Sequence, residues 1–190
     1  MKDDISSILK GWGEPAYRIK QVEDARRTGI RSWEDVTTLP KDLREKLSEV
    51  VPLWTVTPDA VAESTDGTLK WRLRTHDGLA IESVLIKHAR GRRTLCVSSQ
   101  AGCALGCKFC ATGTMGPGRD LTSREISDQA YLANDVAREA DARVSNVVFM
   151  GMGEPLQNTA AVFEAVREIH SPEGLGISAR QIAISTAGWV

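Results

Sequence analysis

The spacing of apolar residues changes along this chain and divides it into three parts. Up to about residue 50 the pattern is that of short helices. A helix over 15–26 is opened by Pro15 and carries Tyr17, Ile19, Val22 and Ala25 as apolar positions, with Gly29 placed to end it. Residues 33–36 and 40–50 read as two more, the second with Pro40 in its first turn. Residues 1–55 therefore form a small helical domain, and Pro52 and Pro58 punctuate a linker-like stretch at its end. The period then drops to two. Leu69-Lys-Trp-Arg-Leu-Arg alternates apolar and basic residues as a half-buried strand does, Asp77-Gly78 signals a turn, and 80–86 returns as a second strand. Residues 56–93 are thus a linker and a β-hairpin. On the returning strand Ile81, Val84 and Ile86 are apolar and Glu82 is the exception.

From residue 94 onward, short apolar strands alternate with amphipathic helices. Strand 94–98 leads into a loop. Thr122-Ser-Arg-Glu125 is a capping box, and Ile126, Ala130, Ala133, Ala137 and Ala140 repeat behind it as one helix face. Strand 146–150, helix 160–169 with Val162, Val166 and Ile169 in register, and strand 181–185 follow. That order implies a parallel sheet covered by helices, so the fold class is α/β.

Composition narrows the class without naming a function. The chain has 190 residues, 42% hydrophobic and 26% charged, which is the make-up of a soluble globular protein. No apolar run approaches the roughly 20 residues of a membrane span. The opening Met1-Lys-Asp-Asp is acidic and polar, unlike a secretory signal, so a cytoplasmic setting with reduced thiols is expected. Net charge is −1, yet residues 68–93 hold Lys70, Arg72, Arg74, Lys87, Arg90, Arg92 and Arg93 against Asp77 and Glu82 alone. That basic band is either a solvated strand face or a phosphate contact.

Three of the four cysteines fall within eight residues, as Cys103-Ala-Leu-Gly-Cys107-Lys-Phe-Cys110. Thiolates are soft ligands suited to iron–sulfur clusters or zinc. A structural zinc site wants four ligands, usually in two spaced pairs, and no downstream Cys or His falls at that spacing. Disulfides would suit a small secreted domain, and buried core thiols are the remaining bland reading. A [4Fe–4S] cluster held by three thiolates, with its fourth iron free, fits best. Gly102 and Gly106 suit a loop curling around such a body.

Function in α/β sheets gathers where strands end. After strand 146–150 comes Gly151-Met-Gly-Glu154-Pro155, whose glycines would let the backbone approach a ligand and whose Glu154 could take an ammonium group. Alone this is a βα turn; one βα unit after a three-cysteine loop it gains weight. After strand 181–185 comes Ser185-Thr-Ala-Gly188.

These motifs together resemble radical S-adenosylmethionine (SAM) enzymes. The longer strings Thr94-Leu-Cys96-Val-Ser-Ser-Gln-Ala-Gly-Cys103 and Asn146-Val-Val-Phe-Met-Gly-Met-Gly-Glu-Pro-Leu156 resemble the RlmN/Cfr group, adenine methyltransferases of ribosomal and transfer RNA. The resemblance covers roughly residues 69–190 and implies that 94–190 is the first half of a partial (β/α) radical SAM barrel. It further implies that Cys103, Cys107 and Cys110 ligate the cluster. By the same resemblance SAM would chelate the free iron, with Gly153, Glu154 and Ser185 as SAM contacts. One electron then passes into the sulfonium and releases a 5′-deoxyadenosyl radical. Glu82 matches the family's general base in Ile-Glu-Ser-Val, and a carboxylate buried on an apolar strand would have a raised pKa. Cys96 matches a resolving thiol that forms a disulfide as product leaves.

The resemblance implies methylation at C2 of an adenosine in the peptidyl-transferase region of 23S rRNA and of the adenosine beside the tRNA anticodon. A monomer served by an electron donor such as flavodoxin is expected. Methylation at C8 of the same rRNA adenine, or a catalytically inactive cluster-binding remnant, are the alternatives. The family's methyl-carrying cysteine should lie well beyond residue 190, and all four cysteines here are accounted for. The expectation is therefore an N-terminal portion, truncated after its third core strand and inactive by itself in methyl transfer.

Overall fold

The computed structural model describes residues 5–188, so the acidic opening at 1–4 lies outside it. The chain divides into two compact units, Met1–Thr55 and Val56–Val190. In the first, helices α1 (Ile5–Gly11), α2 (Ala16–Arg27) and α3 (Lys41–Val50) surround Leu9, Val36 and Leu47, all fully buried. Pro15 and Pro40 stand just before α2 and α3, where a missing N–H costs nothing. Two indoles pin the connecting segments: Trp33 Nε1 donates to the Val51 carbonyl and Trp54 Nε1 to that of Ile30, each at 2.8 Å.

The second unit is built on one mixed sheet. In chain order its elements are β1 (Val56–Glu63), β2 (Leu69–Thr75), β3 (Ala80–Lys87), β4 (Arg93–Cys96), β5 (Gln100–Ala101), α4 (Ala111–Thr114), β6 (Arg119–Asp120), α5 (Ser123–Glu139), β7 (Asn146–Phe149), α6 (Thr159–His170) and β8 (Ile182–Ile184). Six strands lie in the order β1-β2-β3-β4-β7-β8, while β5 and β6 pair separately. The first three pairings are antiparallel and the last two parallel. The hairpin therefore runs straight into the βαβ strands as a single sheet.

The linker expected before the hairpin is instead strand β1 over most of its length. Only Val56 of its eight residues is buried, so it carries no alternation for a sequence reading to find. It forms because β2 offers a ladder, and Pro58 is tolerated because the strand lies at the sheet edge, with a bulge between Pro58 and Ala60.

Helices α5 and α6 pack on one face of the sheet. Trp71, Leu73, Ile81, Leu85, Leu95, Val147 and Phe149 point into that core, where Ile126, Ala130 and Ala133 of α5 meet them with no exposed surface. The capping box is complete: the Glu125 N–H donates to the Thr122 hydroxyl and the Thr122 N–H donates back to the Glu125 carboxylate.

Beyond Val97 the regular ladder ends, and buried side chains share the hydrogen bonding with the backbone of Met152 and Leu121. Gln129 of α5 is 1% exposed. Its Oε1 accepts from the Ser98 N–H at 2.9 Å, and its Nε2 donates to the Ser98 carbonyl at 3.0 Å. The Ser98 hydroxyl donates to the Glu82 carbonyl and accepts from the Met152 N–H. Asn158 Nδ2 donates to the carbonyls of Ser99 and Leu121, both at 2.8 Å. Replacing Gln129 by Leu keeps the volume but orphans two buried backbone groups, at about 1–3 kcal/mol each. Q129L should therefore lower the urea-unfolding free energy by about 2–6 kcal/mol relative to wild type, measured by the shift in midpoint at unchanged slope.

Candidate active site

Strands β4, β7 and β8 are parallel, so their C-terminal ends lie on one side of the sheet. The cysteine loop leaves from the first of these ends. Its base is pinched by β5 and β6, which pair Gln100 with Asp120 and Ala101 with Arg119. The closure is backbone against backbone: a Cβ on Gly118 would sit 1.4 Å from the Ala101 carbonyl oxygen. Inside the loop, the Cys103 N–H donates to the Gly116 carbonyl and the Cys110 N–H to that of Cys107. All four cysteines are free and partly exposed, so no disulfide accounts for them. Cys110 immediately precedes α4, and the Gly113 N–H, aided by the N–H and hydroxyl of Thr112, holds its thiol below the ordinary range. That favours the thiolate, the form that binds metal.

Among the described residues, the one group close enough to share a metal ion is His76, Asp77 and Glu125, well apart in sequence from the cysteines. A guanidinium already serves its carboxylates. Arg119 reaches Asp77 through Nε and Nη2, both at 2.7 Å, and Glu125 through Nη1 at 2.8 Å and Nη2 at 2.7 Å. Asp77 is pulled far below, and Arg119 pushed above, their ordinary values by these bonds. The clamp ties the β2–β3 turn, the loop base and the start of α5 together. Asp77 and Arg119 stand 42 residues apart, so sequence showed a turn and a capping box but not the pairing.

The G-M-G-E-P turn leaves the end of β7. A Cβ on Gly151 would lie 2.6 Å from the Val97 carbonyl oxygen, and one on Gly153 (φ +100°) would lie 2.5 Å from Gln100 Cβ. These glycines admit the neighbouring strand extension, not only a ligand. Glu154 is 3% exposed, deeper than a carboxylate at a mouth. Its Oε1 accepts from the Leu156 N–H and its Oε2 from the Ala187 N–H at 2.8 Å, which joins the ends of β7 and β8. Burial alone would raise its pKa. The donors at Ala187, Thr186 and Leu156 outweigh it and hold the group below its ordinary value. Gln100 completes the joint, accepting from the Glu154 N–H at 2.8 Å and donating to Asp120 at 2.7 Å.

The other sheet face is not covered by α5 and α6. Cys96 lies there, opposite Val84 on one side and Val148 on the other. Burial pushes its thiol up, against a weaker bond from the Met150 N–H. Glu82 shares the face two residues from Val84, and alternation from Ala183 places Ser185 there too. Here the expectation of a buried Glu82 fails. Its side chain is 48% exposed and 2.7 Å from Lys70 Nζ. Ile81, Ser83 and Leu85 are the buried residues of β3, because Trp71 and Leu73 on β2 fix which parity faces the core.

The radical SAM superfamily model matches residues 97–190. The probable dual-specificity RNA methyltransferase RlmN of Dictyoglomus thermophilum is 45% identical over 190 residues, covering 99% of this chain and 54% of its own length. The dual-specificity RNA methyltransferase RlmN of Alkalilimnicola ehrlichii is 46% identical over 189 residues, with 98% and 52% covered. A solved radical SAM methyltransferase from Sphaerobacter thermophilus matches with a TM-score of 0.90 at 43% identity, over 97% of this chain and 55% of that one. Residues 97–190 belong to the radical SAM superfamily, and nearly the whole chain aligns with the RlmN-type relatives within it. It spans about half the length of the curated relatives it matches.

Family membership brings a [4Fe–4S] cluster and SAM as cofactors. The donor set suits the cluster: three thiols on one loop closed at its base, one of them biased to thiolate. What sequence reasoning missed is the polar support, Gln100, Gln129, Asn158 and Arg119. For Gln129 the available signal was a polar residue beside the apolar positions Ile126, Ala130 and Ala133 of α5; the other three lie on short strands or a turn and carried none.

Glu154 has a depressed pKa, so it adds stability above its unfolded value of about 4.3, and that stability is lost as pH falls through the folded value. E154Q should be less stable than wild type at pH 7, and the difference should shrink as the pH is lowered towards 3. Urea midpoints of both proteins across that range check the sign.

Proposed function

We propose that this chain forms the cluster- and SAM-binding part of a radical SAM RNA methyltransferase. The full activity is methylation at C2 of adenosine in the peptidyl-transferase region of 23S rRNA and beside the tRNA anticodon. The supporting observation is one of placement. The three-cysteine loop and the G-M-G-E-P turn leave the same end of a parallel sheet, and Glu82 and Cys96 share the face beside them.

Cys103, Cys107 and Cys110 hold the cluster. When bound, it supplies one electron to the SAM sulfonium, drawn from a donor such as flavodoxin. Glu154 has lone pairs left on both oxygens after its backbone bonds, and with Gly153 and Ser185 it orients the methionyl end of SAM. Glu82 would serve as the general base, and Lys70 steadies its carboxylate. Cys96 waits as a thiol, because burial disfavours the charged form. It becomes the resolving thiol once deprotonated. The target base must be unstacked to reach that face.

With three cysteines in the loop and Cys96 on β4, these 190 residues hold no further thiol to carry a methyl group. Reconstituted anaerobically, the chain should bind about four iron and four sulfide, the content of one cubane cluster. It should cleave SAM on reduction and leave RNA unmethylated. C103S, C107S or C110S should each lose most of the iron, whereas C96S should keep it. Retention of zinc instead of iron, or full iron in the loop variants, would overturn the ligand assignment. RNA methylation by this chain alone would overturn the need for a further, methyl-carrying thiol.

A further inference from the structure

The basic band of residues 68–93 separates into two groups once folded. The cations of β2 are all ion-paired: Lys70 meets Glu82, and Arg72 and Arg74 share Asp59, at 2.7 and 3.0 Å. The remainder lies at the opposite ends of the strands from the cysteine loop. There the segments leading into β4, β7 and β8 are residues 87–93, 143–145 and 178–181. Together they hold Lys87, Arg90, Arg92, Arg93, Arg143 and Arg180 and no carboxylate. Among the described residues, none of these five arginines is ion-paired. Glu139 and Asp141 stand behind them, at the end of α5.

Strand register aligns these cations. Thr94 pairs with Asn146, so Arg93 stands level with Ser145, whose N–H and hydroxyl both donate to the Arg93 carbonyl at 2.9 Å. Val147 pairs with Ile182, which puts Arg180 level with Ser145 in turn. From β4 to β8 is two strand spacings, roughly 10 Å. Arg143 stands two residues before Ser145 on the middle segment, and Arg90 and Arg92 belong to the tight 88–92 turn, where Arg92 Nη2 lies 3.4 Å from His88 Nδ1. Arg90, Arg92, Arg143 and Arg180 are exposed.

We infer that this row is a second RNA contact: an arginine rim that grips the phosphodiester backbone of the substrate at the far ends of the strands from the reacting adenosine. The inference rests on the RNA-methyltransferase reading. Guanidinium groups suit phosphate because their fork donates two parallel hydrogen bonds. A rim of this kind reads no bases. It raises affinity uniformly and makes it fall with salt.

The test is a fluorescence-anisotropy titration of this chain with an unmodified tRNA transcript over a salt series. R90A/R92A/R143A/R180A should weaken binding at least tenfold at moderate salt. It should flatten the plot of log affinity against log salt by about three units, at roughly 0.7–0.9 for each of the phosphates no longer neutralised. R90A/R92A and R143A/R180A should each carry about half of the change, which keeps the test open if the quadruple variant fails to fold. Lysine at all four positions should restore the slope. Wild-type affinity and slope in both double variants would overturn the rim while leaving the RNA reading intact. No binding of the wild-type chain even at low salt would instead sink the RNA reading, and the rim with it.

Discussion

The structure depends on how the backbone of residues 98–100 is satisfied after it leaves the sheet. A buried N–H or carbonyl without a partner costs about 1–3 kcal/mol, and this segment is buried without a full strand ladder on either side. The Gln129 amide replaces the missing strand for Ser98, Asn158 adds a second donor to the Ser99 carbonyl beside the Leu121 N–H, and the Ser98 hydroxyl joins Glu82 of β3 to Met152 of the next turn. Those few bonds set the distance between the cysteine loop and the G-M-G-E-P turn. They also explain the glycines at 118, 151 and 153, where a Cβ would collide with backbone or with Gln100.

Electrostatics then divides the labour. Two arrangements of charge are structural: the Arg119 clamp across the loop base, and the Glu154 carboxylate bridging the ends of β7 and β8. Both draw strength from partial or complete burial. The face that α5 and α6 leave uncovered has the opposite character, with Glu82 and Lys70 in solvent beside a partly sheltered Cys96. A sheet with one apolar face against helices and one polar, reactive face suits a reaction chamber better than a second core. The cysteine loop at its rim is placed to serve such a chamber.

Much of this was legible from residue order. Alternation in 69–74 and 80–86, the capping box at Thr122 and the apolar run at 146–150 carry their own local physics, and the strands and helix formed there. The cysteine spacing and its companion strings carried the family. Three features were not legible, each for a stated reason. Strand β1 exposes nearly every residue and exists because a neighbour offers hydrogen bonds. The buried side of β3 was ambiguous, because apolar residues occur at both parities, and Trp71 and Leu73 across the ladder decided it. That reversed the environment of Glu82. The support residues Gln129, Asn158 and Arg119 act over 31 to 59 positions, beyond any local pattern.

The central claim is that three thiolates hold a cluster with one iron left for SAM. Mössbauer spectroscopy of the chain reconstituted with iron-57, with and without SAM, tests it most directly. The expected result is a [4Fe–4S] spectrum in which one iron of the four changes its parameters when SAM is added. A spectrum in which SAM leaves every iron unchanged, or a chain that takes up no iron, would contradict it.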